Sequence, residues 1–309
     1  MLAMLLQAVG FLTVTLFILK ALHNVYYHFL RGNNLRKYGA GKGAWAVVTG
    51  ASGGIGEEFA VQLARRKFNV VIISRSLERL KPVADKIEKF GVKAKCIAFD
   101  FQTPNVADYQ KLATAFADLD VGVLVNNVGV NVDYPEVFLD HDQKDFEDIL
   151  NANIRSLNQM TQIVLPKLIS RKGGAIVNLG SQSAVLPAPM LSIYAGTKGY
   201  IASFTESLYA EYKRQGVDVL CVTPSMVVSQ MTKLSRPSLA APLPSAVVKP
   251  TLGALGGAQI VWSPYWVHAL MDFVAGLLPR PFLAGKVLAM HKVVRIKAMK
   301  KRGDRKKAQ

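Results

Sequence analysis

The chain has 309 residues, half of them apolar, with 38 Lys+Arg against 21 Asp+Glu and a formal net charge of +17. So much apolar material excludes a disordered chain and a small disulfide-stapled scaffold. The charge sits at the ends: residues 1–42 hold five basic residues and no acid, residues 291–309 hold nine and one acid, and residues 43–290 balance 24 against 20. A nucleic-acid binder spreads basic residues over one face of its fold, so nucleic acid is not an expected partner and an anionic membrane surface is.

Residues 2–19 carry no charge, and as a helix they would be about 27 Å long, close to the ~30 Å of a bilayer core. The start MLAMLLQ lacks the basic leader of a cleavable signal, so residues 1–42 are expected to be a retained anchor with its juxtamembrane segment. Lys20, Arg31, Arg36 and Lys37 all follow the apolar run, which places the rest of the chain in the cytosol by the positive-inside rule. Tyr26, Tyr27 and Phe29 are expected at the interface. The alternative is an interfacial helix that does not cross.

From residue 43 onward, apolar β-type runs at 44–49, 69–74, 93–99, 121–126, 174–180 and 217–223 alternate with helical spacing, as in 57–67, 78–90 and 108–119. Strands buried on both faces and separated by helices predict an α/β fold: one Rossmann-type, doubly wound parallel sheet over residues 43–257. The Pro-dotted stretch 236–250 is expected to be a mobile loop. Cys96 and Cys221 lie in apolar runs without CxxC or His/Cys spacing, and the five histidines show no ligand pattern beyond a weak pair at the amino end, so no metal is expected.

The first strand leads into Thr49-Gly50-Ala51-Ser52-Gly53-Gly54-Ile55-Gly56. A Gly-rich turn between strand and helix lets backbone N–H groups approach a pyrophosphate, so Gly50, Ser52, Gly54, Ile55 and Gly56 are expected to hold a dinucleotide. With its GxxxGxG spacing the chain resembles the short-chain dehydrogenases/reductases. After the second strand stands Ser74-Arg75-Ser76, where an NAD enzyme would place an acid. Arg75 can bind a 2′-phosphate through a planar fork, which implies NADPH. The resemblance further implies that Asp100 meets the adenine, that Asn127 belongs to the turn Asn126-Asn127-Val128-Gly129, and that Pro224 and Thr232 border the nicotinamide. Ser225, where the family has Gly, puts that last turn in question.

Tyr194 and Lys198 form a YxxxK, which puts phenol and ammonium on one helix face. A nearby positive charge is expected to pull the phenol from pKa ~10 toward neutrality, so that it exchanges a proton with the substrate oxygen. Ser181, thirteen residues before Tyr194, matches the family serine that orients a substrate carbonyl and steadies the developing alkoxide; its rival Ser183 has the wrong spacing. By the same resemblance Asn153 holds a water linked to Lys198, Lys198 and Tyr194 also touch the nicotinamide ribose, and the 4-pro-S hydride is the one transferred.

Beyond residue 225 the expected substrate lid is apolar (Met226, Val227, Val228, Met231, Leu234), which suits a lipid chain. The strings SRSLERL, VGVLVNNVG, MTQIVLPKL and LPAPMLSIYAGTK are similar to the very-long-chain 3-oxoacyl-CoA reductase branch, related to steroid 17-beta-dehydrogenases. That branch implies reduction of 3-oxoacyl-CoA in fatty acid elongation at the endoplasmic reticulum, beside the other elongation enzymes, with homodimers common in the wider family. A keto-steroid or retinoid reductase and an inactive scaffold are the alternatives; the latter is disfavoured by the intact YxxxK. Residues 258–309 are expected to be an apolar membrane-associated segment with a basic tail, either surface-lying or a hairpin. Lys306 and Lys307 match a dilysine retrieval signal that must face the cytosol.

Overall fold

The computed structural model describes residues 1–32 and 34–307, with the side chains of 302–307 left aside; Ala308 and Gln309, which complete the expected retrieval signal, lie outside the described residues. Helix α1 (Leu2–Val25) buries none of its residues. With the π turn that follows, it makes one apolar helix over Leu2–Leu30 with mean hydropathy 2.3. Tyr27 departs from the expected interfacial role: it is 5% exposed, and its hydroxyl accepts from Ala258 N at 2.7 Å, while Tyr26 and Phe29 stay exposed. His28 Nε2 meets Ser263 O at 3.0 Å and Arg31 Nε donates to Gly253 O at 3.1 Å, so the foot of the anchor is fastened to the body.

The body is wound around β1 (Trp45–Thr49), β2 (Asn69–Ser74), β3 (Ala94–Ala98), β4 (Val121–Asn126), β5 (Gly174–Leu179), β6 (Val217–Val222) and β7 (Val261–Trp262). Among the described residues these seven strands form one parallel sheet in the order β3-β2-β1-β4-β5-β6-β7. The first six fall within a residue of the expected runs at each end. The seventh, only two residues long, lies in the part expected to be membrane-associated.

Between them run α2 (Gly54–Arg65), α3 (Leu77–Glu88), α4 (Val106–Thr114), α5 (Gln143–Leu150), α6 (Ser156–Ser170), α7 (Ser192–Tyr212) and α8 (Ser245–Ala254), and α9 (Trp266–Gly276) and α10 (Arg280–Lys307) follow β7. Side-chain alternation sorts the strands into two cores. Ala46, Val48, Val70 and Ile72 pack with Phe59, Leu63, Leu80 and Leu252 of α2, α3 and α8. Val47, Val71 and Ile73 face Leu112, Met160 and Val164 of α4 and α6. Truncating a buried Leu, Ile or Met among them to Ala would cost about 2–5 kcal/mol.

The Pro-dotted stretch is a loop only as far as Pro244. From Ser245 it is helix α8, with Val247, Val248, Thr251 and Leu252 buried. Pro244 precedes the first turn, where no intrahelical N–H is needed, so it starts a helix here instead of breaking one, while Pro250 lies inside the helix.

The linker from the anchor is tied down by charge. Asp218 of β6 accepts from Lys37 Nζ at 2.6 Å and Tyr38 Oη at 2.7 Å, and from Lys213. Burial pushes the Asp218 carboxyl up, but Lys213, Lys37 and Tyr38 together outweigh it and hold it below its ordinary range.

Candidate active site

Strand order reverses direction between β1 and β4, which opens a crevice at the carboxyl ends of the strands. Gly50 turns the chain there with φ +64°, and Gly54 opens α2 at φ +59°. A Cβ on Gly56 would lie 2.4 Å from Gly50 O, so only glycine lets the helix start this close to the turn. No side chain caps α2, which leaves the first-turn N–H groups, Ile55 and Gly56 among them, to an anion. A cleft of about 550 Å³ lies between Ser52, Gly53 and Gly54 and the segment after β6, including Ser229 and Gln230. This cradle has the form a dinucleotide pyrophosphate requires, and the cleft's lining does not include Ser181, Tyr194 or Lys198.

Asn127 closes the loop from β4. Its Nδ2 donates to Thr49 O at 2.9 Å and Gly50 O at 3.1 Å, while Thr49 Oγ1 accepts from the backbone N–H groups of Asn127 and Val128. Its side chain therefore shapes the cofactor turn. At the end of β2, Arg75 is exposed, and its Nη1 donates to Gln102 Oε1 at 2.9 Å. Gln102 N in turn donates to Asp100 Oδ1 at 3.1 Å. Arg75 and Asp100 are thereby gathered at the outer end of β2 and β3, and Gln102, which no sequence motif marked, is the link.

The catalytic candidates meet where β5, the π turn Asn151–Arg155 and α7 come together. Asn153, 1% exposed, accepts from Val130 N at 2.8 Å and donates to Val130 O and Thr197 Oγ1, both at 3.0 Å. Gly129 adjoins this point: a Cβ there would lie 3.4 Å from both Asn153 Oδ1 and Lys198 Nζ. Lys198 is 3% exposed and donates to Leu179 O at 2.7 Å, with Nζ 5.5 Å from the centre of the Tyr194 ring. Burial pulls the Lys198 ammonium down to about 8, against a smaller upward pull from Cys221. The backbone N–H of Ser183 donates to Ser181 Oγ at 3.2 Å.

The phenol departs from the expectation in sign. Burial pushes Tyr194 above its ordinary value, and the hydrogen bond with Ser181 offsets only part of that. Lys198 Nζ is turned to Leu179 O, and desolvation disfavours the charged phenolate.

Two residues of the site, Met190 and His268, had no sequence signal. Met190, between Ser181 and Tyr194, is buried with φ +68°, and its carbonyl accepts from Glu136 N at 2.9 Å, joining the loops after β4 and β5. Such left-handed non-glycine residues persist where surroundings over-determine them, often at active sites. The turn Pro224-Ser225 needs no glycine, because Ser225 is not in the positive-φ region. Its N–H goes to His268 of α9. Thr232 Oγ1 donates to Val227 O at 2.7 Å, which holds the lid turn after that pair. Away from this centre, Glu136, His141 and Asp145 bring their donor atoms within 4.8 Å of one another, a grouping their scattered positions did not announce.

Comparison with known proteins agrees with this geometry. The short chain dehydrogenase family profile matches residues 44–240. A protein from Pyricularia oryzae named very-long-chain 3-oxoacyl-CoA reductase is 39% identical, over 96% of this chain and 92% of its own. A Homo sapiens protein of the same name is 41% identical, over 85% of this chain and 84% of its own. Among solved structures, a short-chain dehydrogenase from Sphingobium yanoikuyae in complex with NADPH superposes with a TM-score of 0.65 at 25% identity, over 75% of this chain and 92% of that one.

Proposed function

Because the chain belongs to the short-chain dehydrogenase family, we propose that it reduces long-chain 3-oxoacyl-CoA to 3-hydroxyacyl-CoA with NADPH, anchored in the endoplasmic-reticulum membrane with its body in the cytosol. The observation that carries the reading is the buried Lys198 ammonium, held on Leu179 O at 2.7 Å and 5.5 Å from the centre of the Tyr194 ring, in a chain whose relatives at 39% and 41% identity bear that activity in their names.

The cofactor, when bound, supplies a hydride to the keto carbon. Gly50, Ser52, Gly54, Ile55 and Gly56 would hold its pyrophosphate, Arg75 its 2′-phosphate and Asp100 its adenine end, with Pro224 and the Tyr194–Lys198 pair at the nicotinamide end. Ser181 donates a hydrogen bond to the ketone oxygen and steadies the charge that grows there. Tyr194 gives its phenolic proton to that oxygen as the alcohol forms. The Lys198 ammonium stabilises the phenolate left behind, and Asn153 keeps the helix turn and the Val130 loop in place around it. The apolar helix Leu2–Leu30 would keep the body at the bilayer, where a long acyl chain resides.

NADPH oxidation by the full chain in nanodiscs, on long-chain 3-oxoacyl-CoA and on estrone, tests this. Turnover of the acyl-CoA is expected. Its absence beside turnover of the steroid would replace the acyl-CoA reading with the steroid one.

A further inference from the structure

Helix α9 reaches the loops that follow β5 and β6. His268 has no exposed surface, and both ring nitrogens are engaged: Ser225 N–H donates to Nδ1 at 3.2 Å, and Nε2 meets Ala240 O at 3.1 Å. A backbone N–H can only donate, so Nδ1 accepts, and the ring proton sits on Nε2 and is donated to Ala240. Tyr265 packs edge-on against the ring at 4.9 Å. One turn further along the same face, Asp272 accepts from Gln182 Nε2 at 2.6 Å. Gln182 follows Ser181 in the chain, as Ser225 follows Pro224, and Gln182 N–H donates to Pro224 O at 3.0 Å. One face of α9 thus grips both partners of the bond that joins the two loops.

We infer that His268 and Asp272 are positioning residues, which hold the Ser181 loop and the Pro224 loop at the spacing that ketone and cofactor need. The inference rests on the reductase reading above. Past the ends of β5 and β6 no sheet ladder fixes these loops, and a misplacement of order 1 Å at a reacting centre costs roughly 100-fold in rate.

The test uses the full chain in nanodiscs. His268→Phe keeps the ring's bulk and leaves Ser225 N–H and Ala240 O unpaired, whereas His268→Asn restores an acceptor near Nδ1. Asp272→Ala removes the acceptor for Gln182, and Asp272→Asn keeps one. Three quantities are read: kcat per NADPH-binding site, the isotope effect with NADPH deuterated at the transferred hydrogen, and amide hydrogen exchange of residues 181–186 and 224–232 without substrate.

The expected result for His268→Phe is kcat lower by roughly 30- to 100-fold with a larger isotope effect, NADPH affinity within about 2-fold, and faster exchange in both segments. Asp272→Ala should behave likewise but more mildly, and each Asn variant should recover at least half of the loss on a logarithmic scale. Unchanged exchange, or Asn variants no better than Phe and Ala, would overturn the inference. Should His268→Phe fail to bind NADPH, the Asp272 pair decides alone. Should the wild-type chain leave 3-oxoacyl-CoA untouched, the substrate reading fails, while the exchange data still decide whether α9 orders the two loops.

Discussion

On the β3-β2-β1 side the site is shaped first by backbone, a turn at Gly50, an uncapped helix start and a glycine at 56 that permits close approach, with the side chains of Arg75, Gln102 and Asp100 at its outer end. On the β5-β6-β7 side it is made of side chains that arrive from distant parts of the chain, Lys198 on Leu179, Asp272 on Gln182 and His268 on Ser225. A backbone site depends on residue types at fixed spacing and fails sharply when one glycine gains a side chain. A side-chain site is held by several separate contacts, so it degrades by degrees.

The sharpest break is expected at Gly56→Val. Its Cβ would fall 2.4 Å from Gly50 O, so the turn must shift; NADPH affinity, measured by fluorescence titration, should drop by roughly 100-fold or more. Arg75→Glu acts on the same side without moving the backbone. Replacing a charge-assisted fork by a repelling carboxylate should weaken NADPH by roughly 10- to 100-fold and leave NADH nearly unchanged. Equal losses for both cofactors would mean that Arg75 does not read the 2′-phosphate.

The anchor sets a lower bound, because α1 buries nothing. Val14→Asp with Leu16→Asp, at about 2.5–3.5 kcal/mol per residue against insertion, should move the protein from the membrane pellet to the supernatant. On a water-soluble short-chain 3-oxoacyl-CoA, kcat should change by less than about 2-fold, since Tyr27 and His28 still fasten the anchor's foot to the body. A large fall in kcat would join α1 to the side-chain half of the site.

The smallest effect belongs to Asp218→Asn on β6. Both lysines are half in solvent, so the loss should be about 1 kcal/mol at pH 7 by chemical denaturation. The folded carboxyl lies below its ordinary range, so the stabilisation is complete above about pH 4 and vanishes as pH falls through the depressed value. Wild type and variant should therefore converge in acid; a gap that persists there would show that charge is not its source.

The same contrast explains what was legible in the sequence. Six strands were readable because runs such as VGVLVN and NVVIIS are buried on both faces, which few other contexts permit. The glycine loop, Ser181, Tyr194 and Lys198 were readable by spacing. Strand β7 was not, because two residues in an apolar stretch carry no period, and α8 was hidden by Pro244, which precedes it, and Pro250, which lies inside it. His268 and Asp272 looked like polar interruptions of a membrane segment, since nothing local reveals that Ser225 and Gln182 lie opposite them. The sign of the Tyr194 shift was hidden for a related reason: four residues of spacing give a phenol's neighbour but not its burial.

The central claim is that a protonated Tyr194 delivers the proton that completes ketone reduction. Its most direct test is single-turnover reduction of a long-chain 3-oxoacyl-CoA by Tyr194→Phe saturated with NADPH. The account predicts a rate lower by about 10³-fold with NADPH affinity within about 2-fold of wild type; a rate within tenfold of wild type would contradict it.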